Sequence, residues 1–282
     1  MLAADKLFVG YMGLSGLFAL VMGGTTGVVL ALLHAVAIGG VLLISRRPVP
    51  ASGLLRFLRV AYPVALTPLL YSELASLNQF LVTGYLDEMV QGWEMALFGT
   101  QLSIEASNWF PAFGLSEWFH LGYVSYYLIV PAAMIGAYLL RGAAALHRTI
   151  FTIALAFFVC YVIFIIIPVA GPRYFFEQIS GPISEGSIFG VVHLILESGS
   201  SKGTAFPSSH IAATASAVLA AGREDRRLFW WLVVPMIGLS LGTVYGRFHY
   251  GVDALAGALI AILVWAVAPW LVAKLGGEPS EG

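Results

Sequence analysis

The chain has 282 residues, 59% apolar and 10% charged, where an ordinary soluble domain holds about 45–50% and about 25%. So little charge cannot solvate a globule of this size, and the runs Ile150–Ala170, Leu228–Gly246 and Val252–Val272 are each long enough to cross about 30 Å of hydrocarbon at about 1.5 Å per residue. A formal net charge of −1 without a Lys- or Arg-rich face excludes nucleic acid as a partner, and one cysteine, Cys160, excludes a disulfide framework or a thiolate metal cluster.

The pattern predicts an all-α polytopic transmembrane bundle of about eight spans, within a range of six to eight. The first two, about 7–23 and about 27–45, share a Gly23-Gly24-Thr25-Thr26 turn and form a tight hairpin. Asp5 and Lys6 precede the first and no Ala-x-Ala site follows it, so it reads as a retained span and not a removed signal. The third, about 58–76, is interrupted by Pro63, Pro68 and Glu73. Residues 77–118 are too polar to span, yet Trp93, Phe98, Trp109, Phe110 and Trp118 recur among Asp87, Glu88, Glu94, Glu105 and Glu117, a mixture suited to helices lying in the membrane interface. Two spans follow, about 119–140 and about 149–170, then a Gly-, Ser- and Pro-rich non-spanning segment over 171–206. Three more complete the bundle, about 207–221, about 228–246 and about 252–272. No internal repeat is present. The expected organisation is a single unit: N-terminal spans and interfacial segment over 1–114, a core over 115–275 and a short cytoplasmic tail over 276–282.

Orientation follows from the cations, because Lys and Arg are retained in the cytoplasm. Lys6, Arg46, Arg47, Arg56, Arg59, Arg141, Arg148, Arg223, Arg226, Arg227 and Lys274 all fall on one side, eleven of the fourteen Lys and Arg. Arg173, Lys202 and Arg247 fall on the other. The reading is an integral protein of the plasma (inner) membrane with both termini cytoplasmic.

The extracytoplasmic face collects the segments that carry chemistry: Gly171-Pro172-Arg173-Tyr174, Ala205-Phe206-Pro207-Ser208-Ser209-His210, and Tyr245-Gly246-Arg247-Phe248-His249-Tyr250-Gly251-Val252-Asp253. His249 and Asp253 are four apart, so a helix there sets them on one face. An Asp so held can orient an imidazole and stabilise the cation formed when its other nitrogen attacks. Pro207 and the two serines open a helix whose free amides can meet an anion. Taken singly, these features read as a polar cap, a helix start and a snorkelling arginine. Two histidines, a carboxylate, two or three cations and a helix N-terminus on one face instead describe an anion site flanked by a nucleophile and an acid, suited to phosphoryl transfer without a metal or other cofactor. His34, His120, His147 and His193 have no carboxylate at helical spacing in a matching motif and read as structural.

These residues resemble the type-2 phosphatidic acid phosphatase superfamily of membrane phosphoesterases, whose motifs are Lys-x6-Arg-Pro, Pro-Ser-Gly-His and Ser-Arg-x5-His-x3-Asp. The resemblance covers about 115–272 and rests on Phe206-Pro207-Ser208-Ser209-His210 with His249-Tyr250-Gly251-Val252-Asp253. It implies that His249 is the nucleophile, forming a phosphohistidine, that Asp253 orients it, and that His210 is the acid for the leaving alcohol. Arg173, Ser208 and the Ser209 amide would hold the phosphate. The chain departs from the pattern where Ile166 replaces the lysine, Tyr174 the proline and Thr243 the arginine. Gly171-Pro172-Arg173-Tyr174, the Pro-Ser-Ser-His variant, Arg247 two residues before the second histidine and the stretch from Trp93-Glu94 to Gly99 are more similar to the inositol phosphorylceramide synthase branch. Sphingomyelin synthases lie nearby and share the His, His and Asp triad.

A phosphate monoester brings close to two negative charges and a phosphodiester one, so a site short of cations suits the diester. Arg247 and Lys202 are candidates to replace the missing charges. The expected activity is transfer of a phospho-head group, phosphoinositol by the resemblance, from a phospholipid donor to a lipid alcohol. The alternatives are a lipid phosphatase with water as acceptor, on phosphatidic acid or a polyprenyl pyrophosphate, and a non-catalytic lipid-binding membrane protein.

Overall fold

The computed structural model describes residues 1–279; the last three residues of the expected 276–282 tail lie outside the described residues. The described residues are helices and connections, without a strand beyond one isolated bridge between Val169 and Thr204. Fourteen α-helices follow one another: α1 Ala3–Met22, α2 Gly24–Ser45, α3 Gly53–Ala61, α4 Thr67–Ser72, α5 Leu74–Leu81, α6 Asp87–Phe98, α7 Leu102–Trp109, α8 Phe113–Val124, α9 Tyr126–Ile166, α10 Pro172–Phe175, α11 Ser187–Gly199, α12 Ser209–Glu224, α13 Arg226–Tyr245 and α14 Gly251–Leu275. Among the described residues six segments are long and apolar enough to cross a membrane: α1, α2, the run from Gly53 to Ser72, α9, α13 and α14.

The differences from the eight expected spans have local causes. α9 is 41 residues long and bends at Gly142, whose φ of 80° and ψ of −168° lie outside the helical region and suit glycine. Its two limbs replace the expected spans about 119–140 and about 149–170, with the first entered from α8 across Ser125. The expected sixth span is α12, only 16 residues with eleven buried. Its Ala-, Ser- and Thr-rich surface packs against α9, α13 and α14, so protein surrounds it and a lipid-facing hydropathy is not required of it. The third span is indeed broken: a 3₁₀ turn over Tyr62–Leu66 holds Pro63, and the chain steps again at Glu73 between α4 and α5.

Short helices α5 to α8 occupy the expected interfacial segment, with Trp93, Trp109 and Trp118 exposed. Two of its acids depart from that expectation, because Asp87 and Glu94 are fully buried. Within 171–206 the chain forms α11, a 13-residue helix that the Gly- and Ser-rich reading did not anticipate. Glu117 starts it, accepting from the amides of Ile188 at 3.0 Å and Phe189 at 2.9 Å. Burial raises the Glu117 carboxyl, but these amides and the nearby His120 outweigh it and hold the group below its ordinary range.

Basic residues gather at the end of the bundle opposite the start of α12. Arg148 forms a paired contact with Glu224 at 2.7 and 2.6 Å, Arg141 and Arg227 meet Asp225, Arg59 meets the buried Asp5, and Lys6 donates to the Leu275 carbonyl. The histidines read as structural are anchored. His147 accepts from the Ala4 amide at 3.2 Å, His120 bonds the Ser116 carbonyl at 2.7 Å, and His193 stacks on Phe189 at 4.1 Å. His34 does have a carboxylate, Glu73 at 2.8 Å, which comes from the turn between α4 and α5 and so is invisible to helical spacing.

Candidate active site

α12 and α14 start side by side at the same end of the bundle, and α13 returns the chain between them. The Ser208 amide donates to the Asp253 carbonyl at 3.0 Å. Gly257 lies so close to Ser208 that an added Cβ would stand 2.5 Å from the Ser208 carbonyl oxygen. A larger residue at 257 would drive the two helix starts apart.

That contact brings His210, second residue of α12, opposite His249, just ahead of α14, with ring centroids 5.8 Å apart. Both line a narrow crevice with Arg173, Tyr71, Tyr123 and Ser200. Nδ1 of His249 lies 2.9 Å from the Ala205 carbonyl and 3.4 Å from Oδ2 of Asp253. A carbonyl and a carboxylate can only accept, so Nδ1 carries the proton and Nε2 keeps its lone pair. Burial pushes the His249 imidazole down to about 4, against the Ala205 carbonyl, which favours the charged form. The ring is neutral near pH 7, with a basic nitrogen free.

Asp253 stands further from His249 than Ala205 does, and its shortest bond is to the Tyr250 amide at 2.8 Å, at the N-terminus of α14. Its Oδ1 is buried with no partner among the described residues, so an unused acceptor stands beside the ring. His210 has Nε2 3.4 Å from the Tyr123 hydroxyl and a buried Nδ1 without a partner. Arg173 reaches the Leu196 carbonyl at 3.4 Å and Ser200 at 3.3 Å, both long contacts that leave guanidinium donors for an anion.

The remaining expected site residues stand elsewhere. Ser208 is buried and its hydroxyl accepts from the Ile211 amide at 3.4 Å, the capping role that a serine at this position performs. Ser209 lines a neighbouring cavity with His210. Arg247 turns through a φ of 58° and sends its guanidinium outward to the Glu177 carbonyl and Ser107. Lys202 lies over the rings of Tyr85 and Tyr174 at 4.8 and 5.1 Å. Neither Arg247 nor Lys202 lines the crevice between the histidines.

Sequence reasoning missed Asp87 and Glu94 as parts of this site. Asp87 accepts from the amides of Ala170 and Gly171, each at 2.8 Å, and from Tyr250 at 3.0 Å. Glu94 accepts from the Val252 amide at 2.9 Å. One interfacial helix thus grips the loop that carries Arg173 and the start of the helix that follows His249. The acidic character of an otherwise aromatic, apolar segment over 87–117 was the available signal. Among the described residues no group of three or more His, Cys, Asp or Glu is arranged to hold a metal ion.

Comparison with curated proteins and with solved structures gave no match. A family model described as PAP2 superfamily matches residues 96–267, more than half of the chain and all three motif segments. With the two histidine motifs meeting in one crevice inside that match, the chain belongs to the PAP2 superfamily and is a membrane enzyme of the phosphatase or phosphotransferase type, in a family that acts on lipid phosphates.

Proposed function

We propose that the protein is a lipid phosphotransferase that moves a phospho-head group between lipids through a phosphohistidine at His249, at the extracytoplasmic edge of the bilayer. The observation that carries this reading is the state of His249, whose Nδ1 faces two acceptors while Nε2 is free beside His210 and Arg173. In the first step Nε2 attacks phosphorus and the bond to the leaving alkoxide breaks. The electron pair goes to that oxygen, which takes a proton from His210, held as the imidazolium by the negative charge of the bound phosphate. In the second step the acceptor hydroxyl returns a proton to His210 as its oxygen attacks phosphorus and the P–N bond breaks. Asp253 offsets the imidazolium charge between the two steps, and Arg173 holds the non-bridging oxygens.

Transfer is favoured over hydrolysis of a monoester by charge. Arg173 is the one Lys or Arg lining the crevice among the described residues. A phosphodiester brings one negative charge to that cation, a monoester close to two. The Gly171 to Tyr174 resemblance favours phosphoinositol as the head group.

The test uses phosphatidylinositol labelled in its phosphorus, quenched during turnover. Acid-labile label on the protein, absent from His249→Ala, is expected, with the label recovered in a lipid product. Release of inorganic phosphate from phosphatidic acid at a higher rate would assign the phosphatase reading. Unchanged turnover in His249→Ala would remove both. Arg173→Ala should lower kcat/KM by about 2–4 kcal/mol, the scale of losing one preorganised donor from a dry site.

A further inference from the structure

At the end of the bundle opposite the histidine crevice, a cleft of about 650 Å³ opens between the start of α3 and the bend of α9, within the roughly 300–1,000 Å³ of small-ligand sites. The bend makes room for it. Gly142, Ala143 and Ala144 line one wall with nothing larger than a methyl, and a Cβ built on Gly142 meets no atom within 4 Å. The walls are fixed to each other: the Tyr138 hydroxyl donates to the Gly53 carbonyl at 2.9 Å, and Phe57 meets the Tyr138 ring edge-on at 5.3 Å. Both walls end apolar segments, since Gly53 opens the third and Gly142 closes the first limb of α9, so the cleft lies at the depth of lipid phosphates. Exposed Leu54 and Leu55 beside it, and Leu139 and Leu140 in its wall, face the hydrocarbon.

Its charged residues are Arg56 and Arg141, and among the described residues no Asp or Glu lines it. Arg56 is buried and donates to the uncharged Ala51 carbonyl, whereas Arg59, three residues on, meets the buried Asp5. Arg141 lies 3.2 Å from Asp225, which Arg227 approaches more closely at 2.9 Å, so two cations share that one carboxylate. The cleft therefore carries surplus positive charge in a partly dry setting.

We infer that this cleft binds the phosphate of an anionic phospholipid in the leaflet opposite the histidine crevice, with the acyl chains lying along the four leucines. The site goes beyond the phosphotransfer reading and does not depend on it. General attraction of a basic face for anionic lipid needs no cleft: Arg46 and Arg47, exposed after α2, supply it, and salt screens it over about 8 Å at physiological ionic strength. A phosphate between Arg56 and Arg141 is held by a guanidinium already withdrawn from water, where charge-assisted hydrogen bonds are stronger and screening weaker. The ammonium of a zwitterionic head group would meet two like charges there and no carboxylate. Free phosphate has no chains to lay on the leucines.

The test places the protein in phosphatidylcholine nanodiscs at high salt with a trace of phosphatidylglycerol that carries a diazirine near the head of one acyl chain. After irradiation the labelled peptides are mapped, beside a phosphatidylcholine probe of the same design. Label is expected on α3 and the first limb of α9, undiminished by excess inorganic phosphate and at least about tenfold above the phosphatidylcholine probe, equivalent to about 1.4 kcal/mol. Ser52→Glu sets a carboxylate at the exposed edge of the cleft, and it and Arg141→Gln should each lower that label about tenfold. Arg47→Gln, outside the cleft, should lower it less than about twofold. Should Arg141→Gln fail to fold, Ser52→Glu still decides, because its position is exposed. Equal label from phosphatidylcholine, competition by inorganic phosphate, or a loss in Arg47→Gln as large as in Ser52→Glu overturns the site.

Discussion

The proposed chemistry turns on which nitrogen of His249 holds a proton, and a backbone carbonyl decides it. Ala205 accepts from Nδ1 at 2.9 Å whatever happens to Asp253 at 3.4 Å, so orientation and charge compensation are divided between two groups. Asp253→Asn should therefore keep the tautomer and the bond to the Tyr250 amide, yet lose the charge that meets the imidazolium. The expected result is a fall in kcat of about 10²- to 10³-fold with little change in thermal stability in detergent. A loss of stability as large as the loss of rate would mean that Asp253 acts mainly as a cap. Burial of His249 also predicts a pH profile. Because kcat/KM reports the free enzyme, its acid limb should lie near 4 and not near the ordinary histidine value of 6.5. The sign for stability is the same: between 6.5 and about 4 the unfolded chain binds a proton that the folded one refuses, so stability contributed here falls as pH drops through that window and levels below it.

At the scale of elements, the proposed chemistry requires two helix starts held in contact and an interfacial helix that clamps them. Gly257→Ala should separate α12 from α14, since its methyl would stand 2.5 Å from the Ser208 carbonyl oxygen. Circular dichroism should show the helices intact while kcat falls at least about tenfold. Full activity would mean that the spacing of the two histidines is not set by this contact. Asp87→Asn replaces one acceptor oxygen with a donor, against two amides and a hydroxyl that all donate. We expect about 2–4 kcal/mol of destabilisation together with weakened phosphate binding, because the loop it holds carries Arg173. Thermal unfolding and KM, measured on one preparation, check both halves. A loss of stability with KM unchanged would confine Asp87 to the fold.

For the whole molecule, the basic cluster around Glu224 and Asp225 and the histidine crevice occupy opposite ends of the bundle. In a Cys160→Ser background, a single cysteine at Arg227, an exposed side chain, should react with a membrane-impermeant maleimide only from the cytoplasm, and one at Lys202 only from outside. Labelling of both from one side would overturn the orientation.

Composition and the spacing of apolar runs determined the helical membrane class, because a chain with this little charge has no other way to cover its surface. The motifs were equally legible: Pro207 to His210 and His249 to Asp253 are local patterns, and the return of α13 between them brings both to one end by helix length alone. Other features needed the tertiary structure. α12 crosses the core with small residues because neighbouring helices, not lipid, surround it, so hydropathy does not identify it as a lipid-facing span. The carboxylate beside His34 comes from residue 73, and the carbonyl that orients His249 comes from residue 205; neither separation has a periodic signature. Arg247 and Lys202 stand in or beside the motifs in sequence yet do not line the crevice, because a cation's reach depends on backbone direction and on the oxygens and rings it meets. Asp87 and Glu94 carry the same lesson in reverse: in sequence they read as part of an interfacial segment, and only packing against the loops at 170 and 252 turns them inward to hydrogen-bond buried amides.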